Sequence, residues 1–173
     1  MTPCSQPPPC PPPLLLRRAT DADWPAIWSI FRAVVATGDT YAYAPDIPEA
    51  DARRAWMGPG LATYVAERGG EVVGTYALKP NQPALGGHVA NAGYMVRADA
   101  FGGGVGTAMG EHSLAEARAA GYRAMQFNAV VSTNTRAVAL WQRLGFAVIG
   151  RVPEGFRHRE LGYVDLLIMH RRL

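Results

Sequence analysis

The sequence predicts a single α/β domain, a mixed β-sheet covered by helices on both faces. Three observations carry that prediction. The chain has 173 residues, 49% of them hydrophobic and 18% charged, which suits one domain with a sizeable core and not a disordered chain. Runs with the 3.6-residue period of a helix alternate with β-rich runs of strand length. Glycine, proline and capping residues stand between them, where turns belong.

Residues 1–13 are proline-rich and cannot form a helix or a central strand, so they read as a disordered arm ahead of a domain at 14–173. Leu14 to Ala19 is a short apolar strand. "TDADWPAIWSIFRAVVA" is a helix: Thr20 or Asp21 caps it, Pro25 sits in its first turn, and Trp24, Ile27, Ile30, Phe31 and Val34 form its apolar face. "PEADARRAWM" is a shorter helix. "LATYVAERGGEVVGTYALKP" is a hairpin turning at Gly69-Gly70, and His88 to Arg97 is another strand. A helix runs from about Gly104 to Ala120 and stops at Gly121. "YRAMQFNAVV" is a strand, "STNTRAVALWQRLG" a helix capped by Ser132 or Thr133, and "FAVIGRV" and "GYVDLLIMHRR" close the sheet. The order is β-α-α-β-β-β-α-β-α-β-β, with no internal repeat.

Composition narrows the partners. The net charge is +3, but the arginines are scattered rather than gathered into a stripe with interleaved aromatics, which argues against nucleic acid. No apolar run reaches the roughly 20 residues of a membrane span. Cys4 and Cys10 lie in the proline tract, and no Cys/His spacing resembles a zinc site. The start lacks the charge order of a secretory signal. A cytoplasmic protein without a metal is the expectation.

The chemistry concentrates around "AFGGGVGTAMGEH". Glycines between a strand and a helix expose backbone N–H groups at a helix N-terminus, where an anion is favoured. The spacing fits neither a Walker A loop, since Gly106 rather than Lys precedes Thr107, nor a dinucleotide fingerprint. The downstream stretch "GGGVGTAMGEHSLAEARAAGYRAMQFNAVVSTNTRAVALWQRLGFAVIGRVP" resembles the core of the GCN5-related N-acetyltransferase (GNAT) superfamily. The resemblance implies a mostly antiparallel sheet splayed between its fourth and fifth strands. Acetyl-CoA lies in that splay, with Tyr94, Met95 and Val96 along its pantetheine. Phe101, Gly102, Gly103, Gly104, Val105, Gly106 and Thr107 lie at its pyrophosphate, and Asn134 and Trp141 also border it. Phe101 stands where the family usually has Arg or Gln. Trp141 stands where it often has the tyrosine that reprotonates the leaving thiolate, and indole cannot do that near neutral pH.

"NAGYMV", "QFNAVVSTN" and "LWQRLGF" are similar, more narrowly, to the yeast L-azetidine-2-carboxylate N-acetyltransferases, which act on a proline-like secondary amine. That resemblance implies that Asn91 and Asn128 serve the acceptor and the acetyl transfer. An amide both donates and accepts, but takes no proton. Tyr41 and Tyr43, in the loop after the first helix, are expected in the acceptor pocket. Trp24 and Trp28 read as core, and His112 as an ordinary helix-face residue. Glu154, Glu160 and Asp165 follow the sixth strand and are candidates for a base that deprotonates an ammonium through water. The acceptor is a small-molecule amine, with a homodimer compatible with the family. Alternatives are a phosphinothricin-like amino acid, an aminoglycoside, a polyamine, a protein N-terminus, or a non-catalytic acyl-CoA-binding module.

Overall fold

A computed structural model describes residues 12–173; Cys4, Cys10 and most of the predicted arm lie outside the described residues. The elements follow the predicted order: β1 (Leu14–Arg18), α1 (Trp24–Ala36), α2 (Glu49–Met57), β2 (Ala62–Arg68), β3 (Glu71–Pro80), β4 (Val89–Val96), α3 (Val105–Ala119), β5 (Ala124–Val131), α4 (Thr135–Arg143), β6 (Ala147–His158) and β7 (Gly162–Arg172). They form one seven-stranded sheet in the order β1-β2-β3-β4-β5-β7-β6. All neighbours are antiparallel except β4 and β5.

The period-2 alternation of the strands separates two cores. Val65, Ala77 and Met95 face α1 and α2, where Ile27, Phe31 and Trp56 are buried. Tyr64, Tyr76, Leu78 and Met125 face α3 and α4 with Met109 and Trp141. Trp24 is core as predicted, while Trp28 is half-buried and stacks on it at 6.1 Å. In α1 it is Val35 that is fully buried, and Val34 only packs against the cluster.

Two boundaries differ from expectation. The sixth strand runs on to His158. The run "FAVIGRV" ends at Val152, before Pro153, but β6 is an edge strand, where a missing N–H breaks no ladder. Glu154 has φ 52 at an irregularity between Val152 and Phe156, so the strand bends rather than ends. At α4 the cap is Asn134, whose side chain accepts from Ala137 N–H, and not Ser132 or Thr133.

The first turn of the α1 region is tied to the sheet edge. Arg17 donates two parallel hydrogen bonds to Asp23 at 2.8 Å and reaches Glu67 at 3.0 Å. Asp23 also accepts from Thr20 N–H at 2.7 Å. These bonds hold the Asp23 carboxyl well below the usual carboxylate range. Its folded pKa is depressed, so the stabilisation is present above the unfolded value of about 3.9 and fades as pH falls below it. We expect Asp23→Asn to cost about 2 kcal/mol at pH 7, lowering Tm by roughly 4–8 °C. Thermal melts between pH 7 and 3 should show this difference shrinking with acid; a constant difference would rule out the carboxylate as its origin.

Candidate functional site

The parallel pairing of β4 with β5 covers only Val89↔Ala124 and Ala90↔Met125. Beyond it the strands part, and a cleft of about 1620 Å³ opens between them and spans the sheet. Arg97 N–H donates to Val73 C=O at 2.9 Å and Asn81 N–H to Val89 C=O at 2.7 Å. With the antiparallel alternation, these bonds turn the main chains of Asn91, Gly93 and Met95 toward β3. The edge facing the cleft therefore belongs to Ala92, Tyr94 and Val96. Met95 borders the cleft, but its amide is committed to the sheet and its side chain is 1% exposed in the core.

Tyr94 is not open either. The Tyr41 hydroxyl donates to Tyr94 C=O at 2.8 Å and accepts from Tyr94 N–H at 2.8 Å. A Cβ at Gly93 would lie 3.2 Å from that hydroxyl, so glycine admits the ring. Tyr41 stacks on Tyr43 at 5.9 Å and meets Trp56 edge-on. Burial pushes its phenol pKa up, so it remains a neutral donor. Both tyrosines line the cleft.

At one end of the cleft stands the N-terminus of α3. Gly104 caps it with φ 77 and no side chain bonds to the helix start. The N–H groups of Gly104, Val105, Gly106 and Thr107 therefore face outward, and the helix dipole favours an anion there. Gly103 contributes less than expected, because its N–H bonds to Ala100 C=O at 3.3 Å. Arg68 braces the same turn, donating to Gly103 C=O at 2.8 Å. Phe101 is 53% exposed, and the Arg136 guanidinium lies 5.4 Å above its ring. Arg136 lines the cleft and supplies a cation that the sequence reading missed. Asn134 also lines it, but its side-chain oxygen is spent on the α4 cap. Trp141 packs on Tyr94 at 4.6 Å and on Phe127 at 4.8 Å.

Asn91 and Asn128 sit toward the other end, joined through a residue not foreseen. Asn81 Oδ1 accepts from Asn91 Nδ2 at 3.2 Å and from Asn128 Nδ2 at 2.7 Å. Asn91 Nδ2 also donates to Gln126 C=O at 3.0 Å, and Gln126 Nε2 donates to Asn128 Oδ1 at 2.9 Å. Asn128 projects because β5 breaks register with β7 between Phe127 and Val130, leaving Asn128 and Ala129 both exposed. Asn81 follows Pro80 in "KPNQP", which reads as a turn; only the β3–β4 register brings it to Asn91.

The expected carboxylates are elsewhere. Glu154 and Asp165 lie in β6 and β7, and Asp165 accepts from Arg151 at 2.9 Å and from Glu154 N–H at 3.0 Å. Neither they nor Glu160 line the cleft. His158 does, but its Nδ1 accepts the N–H groups of Glu160 and Leu161 at 3.1 and 3.2 Å. Its second nitrogen then carries the proton, so the ring donates rather than accepts. His112 bonds Tyr76 at 2.6 Å outside the cleft. Among the described residues no group of three or more His, Cys, Asp or Glu could hold a metal, and no helix is long and apolar enough to cross a membrane.

Comparison with known proteins gives this cleft its family. The sequence profile of the acetyltransferase (GNAT) family matches residues 24–146. The chain is 32% identical over 111 residues to N-acetyltransferase aca1 of Schizosaccharomyces pombe, a match covering 64% of this chain and 53% of the relative; it thus spans about half the length of that curated protein. A GCN5-related N-acetyltransferase from Kribbella flavida is 52% identical, with a TM-score of 0.89 over 92% of this chain and 98% of that one. A phosphinothricin acetyltransferase from Sinorhizobium meliloti, solved with AcCoA, shares the fold at a TM-score of 0.82 and 23% identity, over 92% of this chain and 88% of its own. The chain belongs to the GNAT acetyltransferase family.

Proposed function

We propose that the chain is an acetyl-CoA-dependent N-acetyltransferase acting on the amine of a small molecule, with a proline-like or other amino acid as acceptor. One observation carries the reading. The β4–β5 ladder stops after Ala90 and Met125, and the opening leads from an anion-binding helix start to a cluster of side-chain amides. The free N–H groups of α3 suit a pyrophosphate, with Arg136 as an added cation. The edge of β4 at Tyr94 and Val96 suits an extended pantetheine.

The residues present support direct attack. The neutral amine of the acceptor bonds to the thioester carbonyl carbon, the C–S bond breaks, and the thiolate leaves. Tyr94 N–H and the uncommitted Asn128 N–H are the donors for the developing oxyanion. Asn91 Oδ1, which no described group bonds, accepts an amine N–H and aims the lone pair. Proximity supplies much of the rate. Asp39 and Asp99 line the cleft, Asp99 paired with Arg97 and Asp39 accepting from Thr37, but none of the hydrogen bonds of the amide cluster reaches a carboxylate. Trp141 cannot supply a proton, so both protons move through water. The exposed apolar residues of edge strand β6, Val148, Ile149 and Val152, support a homodimer.

Thiol release from acetyl-CoA, measured across a panel of amines, tests this reading. An amino acid should raise it well above the acceptor-free rate. Acetyl-CoA binding with no amine accelerating thiol release would leave an acyl-CoA-binding module instead.

Tyr41 makes a more particular prediction, since its hydroxyl holds the Tyr94 groups that the thioester needs. Tyr41→Phe removes both bonds to Tyr94, of which acetyl-CoA must otherwise displace at least one, worth about 1 kcal/mol net. Acetyl-CoA should bind roughly fivefold more tightly by calorimetry. Weaker binding would show that the hydroxyl holds the thioester rather than its place.

A further inference from the structure

Lys79 is the single lysine of the chain, and no ion pair or hydrogen bond engages it among the described residues. It lines the cleft directly opposite Asn91 in the β3–β4 register, so the two side chains share the face toward α1 and α2. Asn81 lies two residues on, and its N–H still bonds Val89, which keeps it in the ladder and on the same face.

The amides around Lys79 are sorted by what they leave unspent. Asn81 Oδ1 accepts from both Asn91 and Asn128, so the two N–H groups of Asn81 remain open. Asn91 spends its N–H groups on Asn81 and Gln126, so only its oxygen remains. Open donors beside an ammonium thus adjoin an open acceptor. The cationic side chain Arg97, also in the cleft wall, is neutralised by Glu71 and Asp99 at 3.0 and 2.7 Å, which leaves Lys79 as the free charge on this strand pair.

Resting on the acetyltransferase reading, we infer that Lys79 and Asn81 bind the α-carboxylate of the acceptor while Asn91 receives its amine N–H. An amino acid carries these two groups on one carbon, matching Lys79 near the end of β3, Asn81 just past that end, and Asn91 facing Lys79 on β4. The acceptor class is then a small amino acid with a free carboxylate. Polyamines and aminoglycosides carry cationic groups where Lys79 repels them.

The test compares azetidine-2-carboxylate and proline with their carboxamides, at saturating acetyl-CoA, by thiol release. The free acids should be better substrates by about tenfold or more, expressed in KM. Lys79→Met should raise KM for the acids about tenfold with kcat largely kept, and should affect the carboxamides far less. Lys79→Arg should retain the preference, and Lys79→Glu should reverse it. Equal use of acid and carboxamide by the native protein, or an equal loss on both in Lys79→Met, would overturn the assignment. A polyamine outrunning every amino acid would also overturn it, and would leave the acetyltransferase reading intact. Acetyl-CoA binding with no amine accepted would overturn both.

Discussion

Replacing Gly104 by valine is expected to weaken acetyl-CoA binding by about two orders of magnitude. Gly104 holds φ 77 at the start of α3. A β-branched residue there is a backbone outlier, costing upward of about 1–2 kcal/mol. Open space surrounds the position, so the cost is conformational rather than a clash. The chain can relieve it by flipping the turn, and then the N–H groups of Gly104 to Thr107 no longer converge on one anion. A loss of about 3 kcal/mol corresponds to the expected two orders. Calorimetric titration measures it, and a far-ultraviolet spectrum unchanged from the native protein separates it from unfolding. Gly104→Ala, with the smaller side chain, should fall between. Unchanged affinity in Gly104→Val would remove the phosphate role from this turn.

Asn128→Ala is expected to lower kcat by about 10²-fold while leaving acetyl-CoA affinity within a factor of a few. In the proposed mechanism its uncommitted N–H is one of two donors for the developing oxyanion, and loss of one such donor elsewhere costs about this much. Asn128 is exposed on the β5 irregularity and carries no core packing, so stability should barely change. Asn128→Asp keeps the shape and removes the donor, and it should be as slow as the alanine variant. Equal losses in cofactor affinity and kcat would make Asn128 a cofactor or folding residue instead.

The element order was legible because the periodic runs are long and their punctuation is local: Gly69-Gly70 turns the hairpin and Gly121 ends α3. The splay could be named only through the resemblance, since no local pattern says where a parallel ladder stops. Asn91 and Asn128 were legible as polar residues in strands that disfavour them. Their connection through Asn81 was not, because it depends on the register of β3 against β4. The Tyr41–Tyr94 bond joins residues 53 apart in sequence, and nothing near either one announces it. The placing of Glu154 after the sixth strand failed because an edge strand tolerates Pro153 and bends at Glu154. Arg136 was overlooked because its significance lies in standing over Phe101, across the gap between α3 and α4.

The most direct measurement is mass spectrometry of a small amino acid incubated with acetyl-CoA and the protein. The expected product is heavier by one acetyl group on the amine, formed in step with free thiol and nearly abolished in Asn128→Ala. An unmodified amino acid, in a mixture where the protein demonstrably binds acetyl-CoA, would contradict it.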